Sequence, residues 1–253
     1  MNIFEVIFLS VVQGITEWLP ISSSGHLVIF EKWLNIRSAS LEFDIFLHLA
    51  SLAVLLIFFH KEIKQILRTF WADLSGQPKE DERKNWWWYI IISSVITAII
   101  GLILYKQIDT FRNISSVASW LLVTSILLLA TKFSKSKREL TWVDAIVLGV
   151  VQGLAVLPGL SRSGAVIAVA LIMKIRKRQA FDYAFLLAIP AILGSFILTV
   201  KSFNFDWFYI AGFITTAFIS FLALDWLKQI VRHNHLYLFC IYTLILSLII
   251  KIF

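Results

Sequence analysis

The sequence predicts an all-α polytopic membrane protein, with six full transmembrane helices and two re-entrant, broken-helix hairpins arranged as an inverted repeat. Three observations predict it. The chain of 253 residues is 59% hydrophobic and 15% charged, with a mean hydropathy of +0.82, far too apolar for an ordinary soluble domain. Its apolar blocks reach the ~20 residues of helix needed to cross a hydrocarbon core of ~30 Å. And VVQGITEWLPISSSGH at 11–26 returns as VVQGLAVLPGLSRSGA at 150–165, a shift of 139 that brings Gln13, Gly14, Ser22, Ser24 and Gly25 onto Gln152, Gly153, Ser161, Ser163 and Gly164.

The first element, roughly 1–36, is a hairpin: an apolar stretch that Pro20 and the serines at 22–24 interrupt. It lacks a basic n-region and a small-residue cleavage site, so it is expected to stay in the mature fold. Full spans follow near 43–60, 88–106 and 115–133, then a second hairpin at 142–176, then spans near 181–200, 207–226 and 236–252. Helices are expected because lipid offers backbone amides no partner outside their own segment, and the runs are too continuous for barrel strands. Three spans separate the hairpins, an odd number, so the second enters from the opposite face. The likeness continues past the motif, since Phe43, Asp44, Leu49 and Ala50 meet Phe181, Asp182, Leu187 and Ala188 at a shift of 138. One transmembrane domain of two inverted halves, about 1–139 and 140–253, is the expected organisation.

The net charge of +7 invites a nucleic-acid reading, but the basic residues gather at span ends, so no nucleic acid is expected as a partner. If the spans alternate, the connections 61–86, 132–138, 174–178 and 228–232 share one side and hold sixteen of the 23 basic residues, which puts that side in the cytoplasm. Lys32, Arg37, Lys106, Arg112, Lys201 and Lys251 fall opposite, and Arg162 lies inside the motif. Trp86, Trp87 and Trp88 read as an interfacial belt, KEDERK at 79–84 as a solvated loop, and the single cysteine, Cys240, as a buried thiol.

Inverted halves with discontinuous helices place their site near the bilayer middle, with half-helix N-termini aimed at an anion. In ISSSGH, Ser22, Ser23 and Ser24 with Gly25 and His26 exceed what an N-cap needs, although capping alone would account for Ser22 and for Ser161. A serine there can attack phosphorus, and His26, three residues after Ser23, can take its proton or attack itself. Glu17 stacks one turn after Gln13; a carboxylate inside a membrane segment costs at least ~2.5 kcal/mol by insertion scales and faces a cavity or a partner. It reads as a metal ligand, a proton acceptor, or a structural partner of Arg162. Arg162, between Ser161 and Ser163, offers a planar fork to two phosphate oxygens, while Gly159 and Gly164 would let the backbone approach a ligand. Val156 and Ala165 replace Glu17 and His26 in the second copy, so one hairpin carries the acid/base set and the other the anion clamp. His48 is a mid-span residue that reads equally as facing the site or as a hydrogen-bonded core histidine, and Asp44 and Asp182 read as helix caps.

On QGITEWLPISSSGH, FDIFLHLASLAVLL, PGLSRSG and FLLAIPAILG, in order over nearly the whole chain, the sequence resembles the undecaprenyl-diphosphate phosphatases, the bacitracin-resistance membrane phosphatases. The resemblance implies hydrolysis of undecaprenyl diphosphate to the monophosphate and phosphate, recycling the carrier for cell-wall synthesis. It implies a site open to the extracytoplasmic side of the bacterial cytoplasmic membrane, assisted by a divalent cation, magnesium or calcium, with Glu17 as its ligand. It puts the family's glutamate motif on Gln13 and Glu17, its serine and histidine motif on Ser22, Ser23, Ser24 and His26, and its arginine motif on Ser161, Arg162 and Ser163. Gln13 leaves one carboxylate where some members have two, and Val166 stands where threonine is usual. Expected partners are the polyprenyl diphosphate lipid, the membrane and, as an option, a second copy in a homodimer. The competing classes are a polyprenyl-phosphate transporter or flippase, since inverted repeats with broken helices are a transporter plan, and a non-catalytic lipid-phosphate binder.

Overall fold

The computed structural model describes residues 2–33, 41–77, 83–199 and 207–252. Within them the chain is all helical. The first hairpin is α1 (Ile3–Thr16) and α2 (Ser23–Trp33); α3 (Leu41–Phe58), α4 (His60–Leu74), α5 (Trp86–Tyr105), the single turn α6 (Ile108–Phe111) and α7 (Ile114–Ala130) follow. The second hairpin is α8 (Trp142–Leu154) and α9 (Arg162–Ile172), and the chain closes with α10 (Lys177–Thr199), α11 (Phe208–Arg232) and α12 (Phe239–Ile252). Both hairpins break where the sequence predicts.

Four stretches, Trp86–Tyr105, Ile114–Phe133, Lys177–Leu198 and Phe208–Arg232, are long and apolar enough to cross a membrane, and a fifth if α3 and α4 count as one span bent by 73°. Leu236–Ile252 is a shorter apolar stretch. The protein is a polytopic membrane protein. Outward faces carry Ile91, Val95 and Ile99 on α5, Ile214 and Phe218 on α11, and Ile241, Ile245 and Leu248 on α12, all exposed at helical spacing, which suits lipid. Inward faces carry hydroxyls that bond across helices: Ser125 donates to the Cys240 carbonyl (2.9 Å) and Ser247 to the Ala118 carbonyl (2.6 Å), joining α7 to α12.

The hairpins exchange partners. α1 packs on α11 and α8 on α5, through matched contacts: Thr216 donates to the Ser10 carbonyl (3.1 Å) and Thr97 to the Gly149 carbonyl (3.0 Å). Gly14 abuts Ile219 as Gly153 abuts Ile100. Thr97 and Ile100 thus correspond to Thr216 and Ile219 at a shift of 119, an echo the longer repeat hides. A Cβ at Gly149 would sit 2.8 Å from the Cα and carbonyl oxygen of Ser93. Backbone cannot step aside as a side chain can, so Gly149→Ala should destabilise the protein by about 1–3 kcal/mol, read as a lowered thermal midpoint in detergent.

Several readings at the helix ends change. Residues 61–74 continue as α4, whose Lys61, Lys64 and Arg68 face outward; the turn at Phe59 is held by Phe181 and Phe185, at 5.9 and 6.1 Å between ring centroids. Arg83 is buried rather than solvated, its guanidinium 2.6 Å from Asp182 Oδ2, and Trp86 packs inward on Tyr183 rather than into an interfacial belt. Asp44 and Asp182 lie inside their helices and pair with arginines, Asp44 with Arg112 at 3.1 Å: the helices begin earlier than the apolar runs, so neither aspartate stands at a first turn's open amides. Arg37, Lys201 and residues 79–82 of the KEDERK stretch lie outside the described residues. Cys240 is buried with a free thiol, as read from the sequence.

Candidate active site

The two helix breaks touch. Ser22 caps α2, its hydroxyl accepting from Gly25 N–H (3.3 Å), and accepts a second bond from Gly159 N–H of the other hairpin (3.1 Å). Ser161 caps α9 in the same way, accepting from Gly164 N–H (3.1 Å). The capping reading of both serines is therefore correct, and capping brings them to the interface as well. Gly159 has φ +100°, and a Cβ there would lie 2.4 Å from the Val117 carbonyl oxygen; only glycine lets this turn seat against α7. Thr124 of α7 fixes the turn from below, donating to the Gly159 carbonyl (2.9 Å) and accepting from Ser161 N–H (3.1 Å). Sequence reading passed over Thr124, whose one signal was a polar residue within the apolar run SWLLVTSILLLA.

Glu17 sits where the breaks meet. Its Oε2 accepts from Ser23 Oγ (2.6 Å) and from Gln13 Nε2 (3.0 Å) and lies 3.2 Å from His48 Nε2, while Arg162 Nη2 donates to Oε1. His48 Nδ1 lies 2.7 Å from the Asp44 carbonyl, so it donates there, and the ring bridges a carbonyl and a carboxylate. One buried carboxylate thus gathers a guanidinium, an imidazole, an amide and a hydroxyl. Arg162, His48, Gln13 and Ser23 each turn a nitrogen or a hydroxyl to Glu17, and the described residues contain no group of three or more His, Cys, Asp or Glu able to hold a metal by themselves.

A cavity of about 470 Å³ opens from this point. Glu17, Ser22, Ser23, Ser24, His48, Ser161 and Arg162 line its polar end, and α5 and α10 supply an apolar wall with Ala98, Gly101, Leu102, Pro190, Gly194 and Ile197. Asp44 and Arg112 line it too. The remaining sequence candidates serve its frame. His26 Nδ1 donates to the Ser22 carbonyl (2.8 Å) and its Nε2 lies 2.7 Å from the Tyr242 hydroxyl, turning the ring toward α12. Ser163 reaches the Leu19 carbonyl (3.4 Å) and Ser161 Oγ (3.4 Å). The close approaches at Gly25, Gly159 and Gly164 are to the opposite hairpin, to α7 and to their own turns. Val166 is fully buried in the core.

Residues 6–249 match the family described as bacitracin resistance protein BacA. The chain belongs to this family. Its BacA-family relatives include an undecaprenyl-diphosphatase of Oceanobacillus iheyensis, 33% identical over all of both chains. One of Carboxydothermus hydrogenoformans is 36% identical over 100% of this chain and 97% of the relative, and one of Korarchaeum cryptofilum is 35% identical over 98% of each.

Proposed function

We propose that the protein is an undecaprenyl-diphosphatase, a membrane hydrolase that converts undecaprenyl diphosphate to the monophosphate and phosphate. The observation that carries this reading beyond the family is the contact of Ser23 Oγ with Glu17 (2.6 Å) beside Arg162 in a cavity wall. A hydroxyl, a base and a phosphate-binding fork meet at one point, as phosphoryl transfer by a serine requires. In the resting site Arg162 occupies Glu17. A substrate phosphate competes for the guanidinium, and as Arg162 turns to it, Glu17 loses a counter-charge and becomes able to take the Ser23 proton. Ser23 Oγ then bonds the terminal phosphorus as the bond to the bridging oxygen breaks, and undecaprenyl phosphate leaves. Glu17 passes the serine proton to the departing oxygen and is a carboxylate again, and water then cleaves the phosphoserine, its proton passing through Glu17 to the serine oxygen. Arg162 and the capped N-termini of α2 and α9 stabilise the charge on the transferred group. A divalent cation that assists the reaction would arrive on the diphosphate, with Glu17 as the carboxylate able to meet it, since the described residues contain no group of three or more His, Cys, Asp or Glu to hold one alone.

The chain reads as one domain of two inverted halves, with α3, α5, α7, α10, α11 and α12 as six crossings. The exchanged packing of α1 with α11 and α8 with α5 supports this arrangement. With the basic connections in the cytoplasm, the cavity lies toward the opposite side, since its walls are the start of α3 and the ends of α5 and α10. The transporter reading is weaker because the repeat-related position on the other face is filled. Leu186 and Leu52, which stand at a shift of 138 from His48 and Pro190, are buried in a cluster with Trp18, Phe59 and Phe185.

The test is conversion of undecaprenyl diphosphate by the purified protein in detergent, with and without magnesium or calcium; folded protein that yields no monophosphate in any condition sinks the proposal. Gly194 refines it. Among the described residues a Cβ there meets nothing within 4 Å, so Gly194→Leu should leave the thermal midpoint unchanged while projecting a side chain into the apolar wall. A rise of about tenfold in KM for the undecaprenyl substrate is expected, on the order of one lost hydrophobic contact of 1–3 kcal/mol.

A further inference from the structure

The cavity holds polar atoms that the reaction above does not use. Gln152 is the repeat partner of Gln13, and it is 2% exposed. Its Nε2 donates to the Leu187 carbonyl (3.0 Å), which fixes the amide's orientation because a carbonyl can only accept. Its Oε1 is buried and has no hydrogen-bond partner among the described residues, and the residue lines the cavity. Ser94 Oγ, on α5, is likewise buried and without a partner among the described residues, and Ser94 is part of the lining. Thr97 lines the same cavity, but its hydroxyl is committed to the Gly149 carbonyl (3.0 Å). A buried amide oxygen without a donor is destabilising by roughly 1–3 kcal/mol, so such groups persist where something brings a donor to them.

Arg162 lines the same cavity, which favours an anion there and disfavours a cation on the two oxygens. An anion that also carries a donor is a hydrogen phosphate. Inorganic phosphate near neutral pH keeps at least one P–OH, whereas sulfate, of the same shape and charge, has none.

We propose that Gln152 Oε1 and Ser94 Oγ form the acceptor side of the phosphate site, taking the P–OH hydrogen of the released phosphate while Arg162 takes its charged oxygens. Gln152 is thereby a specificity-determining residue for hydrogen-bearing phosphate over fully ionised oxyanions. This rests on the cavity holding a phosphate, and it deepens the hydrolase reading at that site. Both glutamines of the repeat donate through Nε2, Gln13 to Glu17 and Gln152 to the Leu187 carbonyl, but of the two it is Gln152 that lines the cavity.

The test is binding, so that it stands apart from turnover. Thermal midpoints of the purified protein in detergent are followed against inorganic phosphate and against sulfate at matched ionic strength, and converted to apparent affinities. Wild type should bind phosphate about tenfold more tightly than sulfate. Gln152→Met, similar in volume and without the acceptor, should bring the ratio to about one through lost phosphate affinity, and Ser94→Ala should reduce it. Equal binding of the two anions by wild type, binding of neither, or a ratio unchanged in folded Gln152→Met overturns the proposal. Should the methionine variant not fold, the wild-type ratio and Ser94→Ala decide it. A wild-type preference for phosphate in a protein that hydrolyses nothing would preserve this site and refute the hydrolase.

Discussion

Arg162→Ala should lower kcat/KM for undecaprenyl diphosphate by about a thousandfold, the scale of removing one preorganised charge donor from a transition-state site. The guanidinium has two tasks, while the cavity's other arginine, Arg112, is paired with Asp44. It holds Glu17 in the resting enzyme, through the contact of Nη2 with Oε1, and it is the permanently charged group of the cavity's polar end that can take two phosphate oxygens at once. Arg162→Lys keeps a charge but loses the fork, so it should recover only part of the loss. The fold should weaken as well, because the buried Glu17 carboxylate loses its guanidinium and keeps the imidazole of His48, at 3.2 Å, beside the neutral donors Ser23 and Gln13. Activity is therefore compared per folded molecule, from detergent samples whose thermal midpoints are known. Glu17→Gln supplies the second corner of a cycle: if Arg162 acts on substrate only after leaving Glu17, the double variant should lose less than the two single losses multiplied together. Losses that multiply fully would mean that the pair never exchanges partners.

Much of this site was legible before any coordinates. The repeated motif locates both helix breaks, and the one-turn spacing of Gln13 and Glu17 puts their side chains on one face, where they hydrogen-bond (3.0 Å). The pairing of Glu17 with Arg162 was foreseen as a structural alternative, and it proves to lie in the cavity wall itself. What escaped the sequence depends on distance in space rather than in chain. The adjacency of His26 and Ser23 on one helical face is real, yet α12 draws the imidazole away with a hydroxyl 216 positions further on. Thr124 and Gln152 look like isolated polar residues in apolar runs until the other hairpin is placed against them. Arg83 and Trp86 belong by composition to a membrane surface; the carboxylate of Asp182 and the ring of Tyr183 pull them inside. The correspondence of Thr97 with Thr216 needs a different shift from the motif's, so no single alignment of the halves reveals it.

Ser23→Ala should abolish turnover to within about a thousandfold of background, whereas Tyr242→Phe should cost less than about tenfold. Both serine and histidine are plausible nucleophiles by residue type, and geometry separates them. Ser23 Oγ lines the cavity and already donates to the group that would take its proton, at 2.6 Å. His26 has Nδ1 committed to the Ser22 carbonyl at 2.8 Å, which makes Nε2 the lone-pair nitrogen, and that lone pair is met by the Tyr242 hydroxyl at 2.7 Å. A nucleophilic histidine would have to shed this bond before each attack. Removing the hydroxyl would then free the ring and speed the reaction, or would disturb it severely if tyrosine serves as the proton partner. On the serine mechanism Tyr242 only braces the first turn of α2 through His26, and its hydroxyl contributes about one neutral hydrogen bond, on the order of 1 kcal/mol. Mass spectrometry of protein quenched during turnover gives the complementary reading: a phosphate adduct on the peptide carrying Ser23, absent from Ser23→Ala, fits the serine route, and an acid-labile adduct on His26 would replace it.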